Sequence, residues 1–366
     1  MQNNRRSILL ICNTPFQIIM ACHIIGLYYR EYDVDIAISE GIKDGLKLVN
    51  NAISTNYFRK VIYIRNKKTF LTGKGLFKRL LYLAGRVKEV FFNYRIAYNL
   101  TNRNYDVCLF SNISMLTKLL GTFMKKNNPD IKLAVFEEGI VTYTKLFSSC
   151  DAPSTLYSKV FDKKGLLSKI NLLYVCYPNL LEWSLNNGEV VKLPIINKND
   201  KEYISLLNAV FGYREDDIDI YDKRVIFFEE SHSFEGFKVP DIDIVNKIAD
   251  KVGRENIMVK IHPRNPNNRF SQLGYKTNEN VSIPWELIVL NQFFEDKIFV
   301  TISSGAVISP YLYIGMPCVS YSLLNCVEER PGYMNGELGD MMQRIYNKYP
   351  EVFVAPESME SFLLCL

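Results

Sequence analysis

The chain has 366 residues, 48% hydrophobic and 23% charged, with a formal net charge of +5. That is too long for one ordinary domain, comfortable for two, and the composition is that of a soluble globular protein. Eight scattered cysteines with no C-x-x-C pair exclude a disulfide framework, and only three histidines argue against a zinc site, so a reducing cytosol is expected.

Residues 7–29 carry no Asp, Glu, Lys or Arg and follow Arg5-Arg6, which resembles a signal peptide. However, Asn13-Thr14-Pro15 interrupts the run and no small-residue cleavage site follows. The expected structure is a buried strand (8–12), a tight turn and a helix from about Pro15, where proline suits the first turn. Short apolar runs recur at 34–39, 60–64, 106–111, 132–138 and 170–178, alternating with helical patterns. Such alternation predicts βαβ units and a parallel sheet.

Between them lies a basic stretch, 59–103, in which Arg59, Lys60, Arg65, Arg79, Arg95, Arg103 and other cations face Glu89 alone. Phe70, Phe77, Tyr82, Phe91, Phe92 and Tyr94 are interleaved with them. Such a segment suits an anionic membrane surface, a polyanionic substrate or a plain solvated face; no nucleic-acid module accompanies it. Residues 196–222 turn polar and acidic and are taken as a linker between domains 1–195 and 223–366. A second alternation follows, with strands expected at 224–230, 257–263, 297–304 and 317–322 and a helix over 241–252. Residues 299–327 are also uncharged, but Ser303-Ser304-Gly305, Pro310, Gly315 and Pro317 break them, against a membrane span. Two doubly wound domains in tandem predict a cleft, with ligands at the carboxyl ends of strands.

The polar clusters fall at such ends. In "KLAVFEEGIVTY" an apolar run stops at Glu137-Glu138-Gly139. Two adjacent carboxylates point in different directions, so one can serve as a general base on a hydroxyl while the other anchors the loop; an acidic turn would look the same. Glu229-Glu230 is a similar pair without the glycine. In "VKIHPRNP", Pro263 locks His262, with Lys260 and Arg264 flanking it; the imidazole suits a phosphate oxygen or an acid role, and also a structural turn. "FVTISSGAV" runs a strand into Ser303-Ser304-Gly305, offering hydroxyl and backbone donors to a phosphate, or merely a helix cap. Glu286 in "SIPWELIVL" suits a pair of ribose hydroxyls or the helix dipole. The Asp-x-Asp pairs at 33–35, 217–219 and 241–243 lack a nucleotide loop and read as background for metal binding.

In their order, Glu137-Glu138-Gly139, His262-Pro263 and Ser303-Ser304 resemble the three short motifs of bacterial sialyltransferases. "NTPFQIIMA" (13–21) resembles the amino-terminal strand–turn–helix of glycosyltransferase family 52, the lipooligosaccharide and capsule sialyltransferases, and "IPWEL" resembles a donor-side segment of related families. The resemblance implies a GT-B fold of two Rossmann-like doubly wound α/β domains facing a cleft, the first acceptor-side and the second donor-side. It implies inverting, metal-independent transfer of sialic acid from CMP-sialic acid to a galactose-terminated surface glycan, in an α-2,3 linkage, without a further cofactor. Glu137 would be the base and His262 would contact and protonate the departing phosphate. Ser303, Ser304, Lys260, Pro263 and Arg264 would line the phosphate site, Glu286 would hold the ribose, and Glu138, Gly139, Thr14 and Gln17 would lie on the acceptor side. It also implies a homodimer. The expected location is the cytoplasm, where the basic segment 59–103 could hold the protein on the inner face of the membrane beside lipid-linked acceptors. A CDP-linked polyol-phosphate transferase, another nucleotide-sugar glycosyltransferase and a non-catalytic glycan or nucleotide-binding module are the competing readings.

Overall fold

The computed structural model describes residues 5–65, 76–151, 165–214, 219–231, 239–265, 267–278, 280–328 and 332–366. The chain divides into two compact units, Met1–Glu138 with Lys145–Leu193, and Gly139–Thr144 with Pro194–Leu366. Part of the basic stretch (66–75) and part of the acidic stretch before Asp219 (215–218) lie outside the described residues.

The first unit is built on seven parallel strands in the order β3-β2-β1-β4-β5-β6-β7. They are β1 (Ser7–Cys12), β2 (Asp33–Ser39), β3 (Lys60–Ile64), β4 (Val107–Phe110), β5 (Lys132–Phe136), β6 (Leu172–Val175) and β7 (Glu189–Lys192). Every residue of β1 and β4 is buried. A parallel sheet covered on both faces demands such unbroken apolar runs. The uncharged start of the chain is β1 followed by the helix Pro15–Tyr28, as the Asn-Thr-Pro turn predicts. Thr14 caps that helix and Pro15 occupies its first turn. Among the described residues no helix is long and apolar enough to cross a membrane, and all eight cysteines are free.

Asp35, with no exposed surface, binds together the start of this sheet. Arg59 grips it in bidentate fashion at 2.8 and 2.9 Å, Tyr105 donates at 2.8 Å and Arg103 at 3.2 Å. The Asp-x-Asp pair of β2 is thus structural, and the two end arginines of the basic stretch are engaged by it. Burial alone would raise the Asp35 carboxyl, but the hydrogen bonds from Arg59 and Tyr105 and the two guanidinium charges outweigh it and hold the group below its ordinary value. Its contribution to stability is therefore present above the ordinary carboxylate range and is lost as pH falls through the lowered folded value. Asp35→Ala is expected to destabilise the protein by about 2–4 kcal/mol at neutral pH, the loss of a buried acceptor shared by two cations and a hydroxyl. Urea unfolding would read this as a lower midpoint, with the difference from the parent protein shrinking below about pH 4.

The second unit has six parallel strands in the order β10-β9-β8-β11-β12-β13. These are β8 (Val225–Phe228), β9 (Ile257–Lys260), β10 (Lys276–Thr277), β11 (Ile298–Thr301), β12 (Val319–Ser322) and β13 (Phe353–Val354). Val225, Phe227, Val259 and Val300 pack with Ile244 and Ile248 of the helix Asp241–Val252 and with Phe270 in one buried cluster. The polar stretch 196–222 holds the helix Lys201–Phe211, capped by Asp200 and closed by Gly212 at φ +66°. It buries Tyr203, Leu207, Val210 and Phe211, a spacing of one helix face. The uncharged run 299–327 is β11, a turn, the short helix Ser309–Ile314 and β12.

Candidate functional site

In the first unit the strand order reverses between β1 and β4, so the loops leaving these strands diverge and make room for a ligand at their carboxyl ends. The loop after β1 is Asn13-Thr14. Thr14 Oγ1 accepts from the Gln17 backbone N–H at 3.3 Å, which fixes Gln17 in the first helical turn. Gln17 is wholly buried; its Oε1 accepts from Asn13 N–H at 2.5 Å and its Nε2 donates to Glu138 Oε1. One side-chain amide thus ties the β1 turn to the acidic pair after β5.

The two acids take different positions. Glu138 is half-buried, while Glu137 has no exposed surface. Glu137 Oε2 accepts from Cys176 N–H at 3.3 Å, just past β6, so it points away from the β1–β4 crevice. Burial, then the charge of Glu137 and a hydrogen bond to it, push the Cys176 thiol up and keep it protonated. Gly139 adopts φ +95°, ψ −159°, a conformation open essentially to glycine alone. The three-residue motif therefore needs its glycine to turn the chain out of the first unit. The next residues, Ile140–Tyr143, form a 3-10 turn that packs on the helix Glu337–Lys348 of the second unit. Ser111, directly after β4, is a crevice residue that sequence reading did not single out; it is 1% exposed and its hydroxyl has no hydrogen-bond partner among the described residues. The abrupt polar ending of "VCLFSN" was its only signal.

In the second unit the reversal lies between β8 and β11. There β9 delivers Lys260 and His262, and β11 delivers Ser303 and Ser304. Pro263 and Arg264 are exposed and His262 is half-buried. His262 Nδ1 accepts from Arg264 N–H at 3.2 Å, which leaves the proton of the neutral ring on Nε2. Lys260 is 8% exposed, and burial pushes its ammonium down to about 8 against the opposing pull of Glu286. Trp285, packed edge-on against Phe228 and Phe299, anchors the helix Trp285–Asn291 and so sets Glu286 beside Lys260. Burial raises the Glu286 carboxyl, partly offset by the helix backbone, by a hydrogen bond from Ser309 and by Lys260.

The two serines are not equivalent. Ser303 is buried, and its Oγ donates to Glu230 Oε2 at 2.6 Å, so that proton is committed within the protein. Ser304 is half-buried; its hydroxyl accepts from Ala306 N–H at 3.2 Å and keeps its own proton to offer. Lys260, His262, Glu286, Ser303 and Ser304 thus share the carboxyl-end region of one sheet, while Thr14, Gln17, Glu137 and Glu138 share that of the other.

The family model of alpha-2,8-polysialyltransferases (POLYST) matches residues 8–322, a span that contains every one of these residues. The chain belongs to this family. It is therefore a member of a sialyltransferase family and a glycosyltransferase. No curated protein sequence matches it. Among solved structures, UDP-GlcNAc 2-epimerase from Methanocaldococcus jannaschii aligns with a TM-score of 0.53 at 13% identity, covering 98% of this chain and 91% of that one. The Neisseria meningitidis UDP-GlcNAc 2-epimerase bound to UDP-GlcNAc gives 0.53 at 14% identity, with 98% and 90% covered. Arabidopsis thaliana UGT89C1 complexed with quercetin gives 0.52 at 12% identity, with 99% and 89% covered. These likenesses establish the fold, two Rossmann-like halves of the GT-B type.

Proposed function

We propose that the protein is an inverting, metal-independent sialyltransferase that takes sialic acid from CMP-sialic acid to a hydroxyl of a surface glycan. The observation that carries this reading is the family match over residues 8–322. The family description makes a sialic acid-terminated acceptor, extended in an α-2,8 linkage, the first choice over the galactose terminus and α-2,3 linkage expected from sequence.

The chemistry suits the residues. CMP is a good leaving group, so the protein must supply a base, donors for the departing phosphate and exact placement. Glu138, exposed in part and held by Gln17 at the β1–β4 crevice, takes the proton from the acceptor hydroxyl. The acceptor oxygen attacks the anomeric carbon as the bond to the CMP phosphate oxygen breaks. His262 Nε2–H and the Ser304 hydroxyl donate to that phosphate, and Lys260 adds positive charge. Glu286 accepts from the ribose hydroxyls. The reading assigns Glu137 and Ser303 to holding their turns, with Pro263 and Arg264 at the rim of the donor site. The basic stretch, where Phe91 and Tyr98 are exposed, would rest on an anionic membrane at the inner face of the cytoplasmic membrane, and the working form would be a homodimer.

Purified protein incubated with CMP-sialic acid, EDTA and either oligosialic acid or lactose tests this. The expected result is CMP release with lengthened oligosialic acid. Sialylated lactose alone would restore the galactose acceptor. Consumption of CDP-glycerol with CMP-sialic acid untouched would replace the reading by that of a polyol-phosphate transferase.

A further inference from the structure

The acidic pair Glu229-Glu230 ends β8, the strand at the reversal of the second sheet, and has no role in the chemistry above. An acidic pair beside an anionic donor would repel it if its charges faced the site. They do not: Glu229 is 3% and Glu230 9% exposed.

Each carboxylate is turned onto a different motif. Glu230 Oε1 accepts from Ser303 N–H at 2.6 Å and from Thr301 Oγ1 at 2.9 Å, while Oε2 accepts from Ser303 Oγ at 2.6 Å. The Thr301 hydroxyl in turn accepts from Ser304 N–H at 3.0 Å, carrying the constraint to the serine with a hydroxyl to offer. Glu229 Oε2 accepts from His262 N–H at 3.1 Å and Oε1 from Arg269 Nη2 at 2.9 Å, and Arg269 is held also by Asp241 at 2.5 Å. The Glu230 backbone carbonyl accepts from Asn265 Nδ2 at 3.0 Å, closing the His262-Pro263 turn from its far side. Neighbouring residues on one strand end thus fix the β9 turn and the β11 turn together.

We infer that Glu229 and Glu230 are positioning residues for the donor site: Glu230 sets the Ser303-Ser304 turn, Glu229 sets the His262 turn, and together they fix the relative placement of the two phosphate donors. A carboxylate is the group required. Glu230 accepts three donors at once, and a glutamine would offer one oxygen and force Ser303 to reverse its hydroxyl. The inference rests on the reading of a nucleotide donor at His262 and Ser304.

The test uses E230Q, E229Q, S303A and the E230Q/S303A double variant of the full chain. Ligand-free hydrogen–deuterium exchange is read first, then calorimetric binding of CMP, CDP and UDP, then turnover. E230Q is expected to speed exchange over 299–307 and E229Q over 260–265. Each is expected to lower affinity for the bound nucleotide by about 10- to 100-fold, the range for a lost hydrogen bond to a charged group. The double variant should be no worse than the poorer single one, because one interaction is removed twice. A strictly additive double variant, or parent-like affinity in both single variants, would overturn the inference. A parent protein that binds CDP or UDP but not CMP would remove the proposed donor, and the same variants measured with that nucleotide would then decide the positioning role. A parent that binds none of the three would overturn both.

Discussion

Glu138→Gln is expected to lower kcat for sialyl transfer by about 10²- to 10⁴-fold while nucleotide binding and thermal stability stay close to those of the parent protein. The isosteric amide keeps the shape of the side chain and removes only its capacity to take a proton. Glu138 is the acid of the pair with exposed surface, and Gln17 Nε2 holds it on the β1 side of the crevice. Glu137, by contrast, is buried and turned toward Cys176 N–H. Glu137→Gln should therefore act through the fold, lowering the melting temperature with a smaller loss of kcat. Gln17→Glu makes a third arm: it replaces the donating amide with a second carboxylate beside Glu138, and should shift the acid limb of the rate profile upward by like-charge repulsion. The measurement is steady-state CMP release under saturating donor across pH, with melting temperatures alongside. If Glu137→Gln loses the larger factor in kcat at unchanged stability, the base role returns to Glu137, as the motif resemblance alone implies.

Much of the scaffold was legible because its strands are buried on both faces. β1, β4, β5, β8, β9 and β11 each announce themselves as an unbroken apolar run, and their carboxyl ends are marked by sudden polar residues. β7, β10 and β13 were not read. β7 is an exposed edge strand with Glu189 and Lys192 at its ends, and β10 and β13 are two residues long, too short to form a run even where both residues are apolar, as in Phe353-Val354. The helix Lys201–Phe211 was hidden by its polar flanks, although Asp200, the 203/207/210/211 spacing and Gly212 mark it clearly. The polar residues at the strand ends stand out in sequence, but their partners do not. Gln17 meets Glu138 across 121 positions and Ser303 meets Glu230 across 73, and nothing local in either segment encodes such a pairing. That is also why the two serines read as equals in sequence, whereas the fold commits one proton inward and leaves the other to offer.

His262→Ala is expected to cost about 10²- to 10³-fold in kcat, the usual scale for removing one preorganised donor to a departing oxyanion. The ring is oriented by Arg264 N–H on Nδ1 and its backbone is pinned by Glu229, so the Nε2 proton is presented without reorganisation. The pH dependence separates this role from that of Lys260. Burial brings the Lys260 ammonium down to about 8; below that value it is charged and, on the proposed reading, would attract the donor phosphate, and above it the charge is lost. The donor KM should therefore rise as pH passes upward through about 8, in the parent and in His262→Ala alike. Lys260→Met should raise KM at all pH values and flatten that alkaline limb, while leaving the kcat effect of His262 in place. Donor KM and kcat measured between pH 6 and 10 in the three proteins, on both sides of the Lys260 value of about 8, would check it. An alkaline limb that survives in Lys260→Met belongs to another group, and a His262→Ala variant altered in KM with kcat intact would make the histidine a binding contact present equally in the ground state and the transition state.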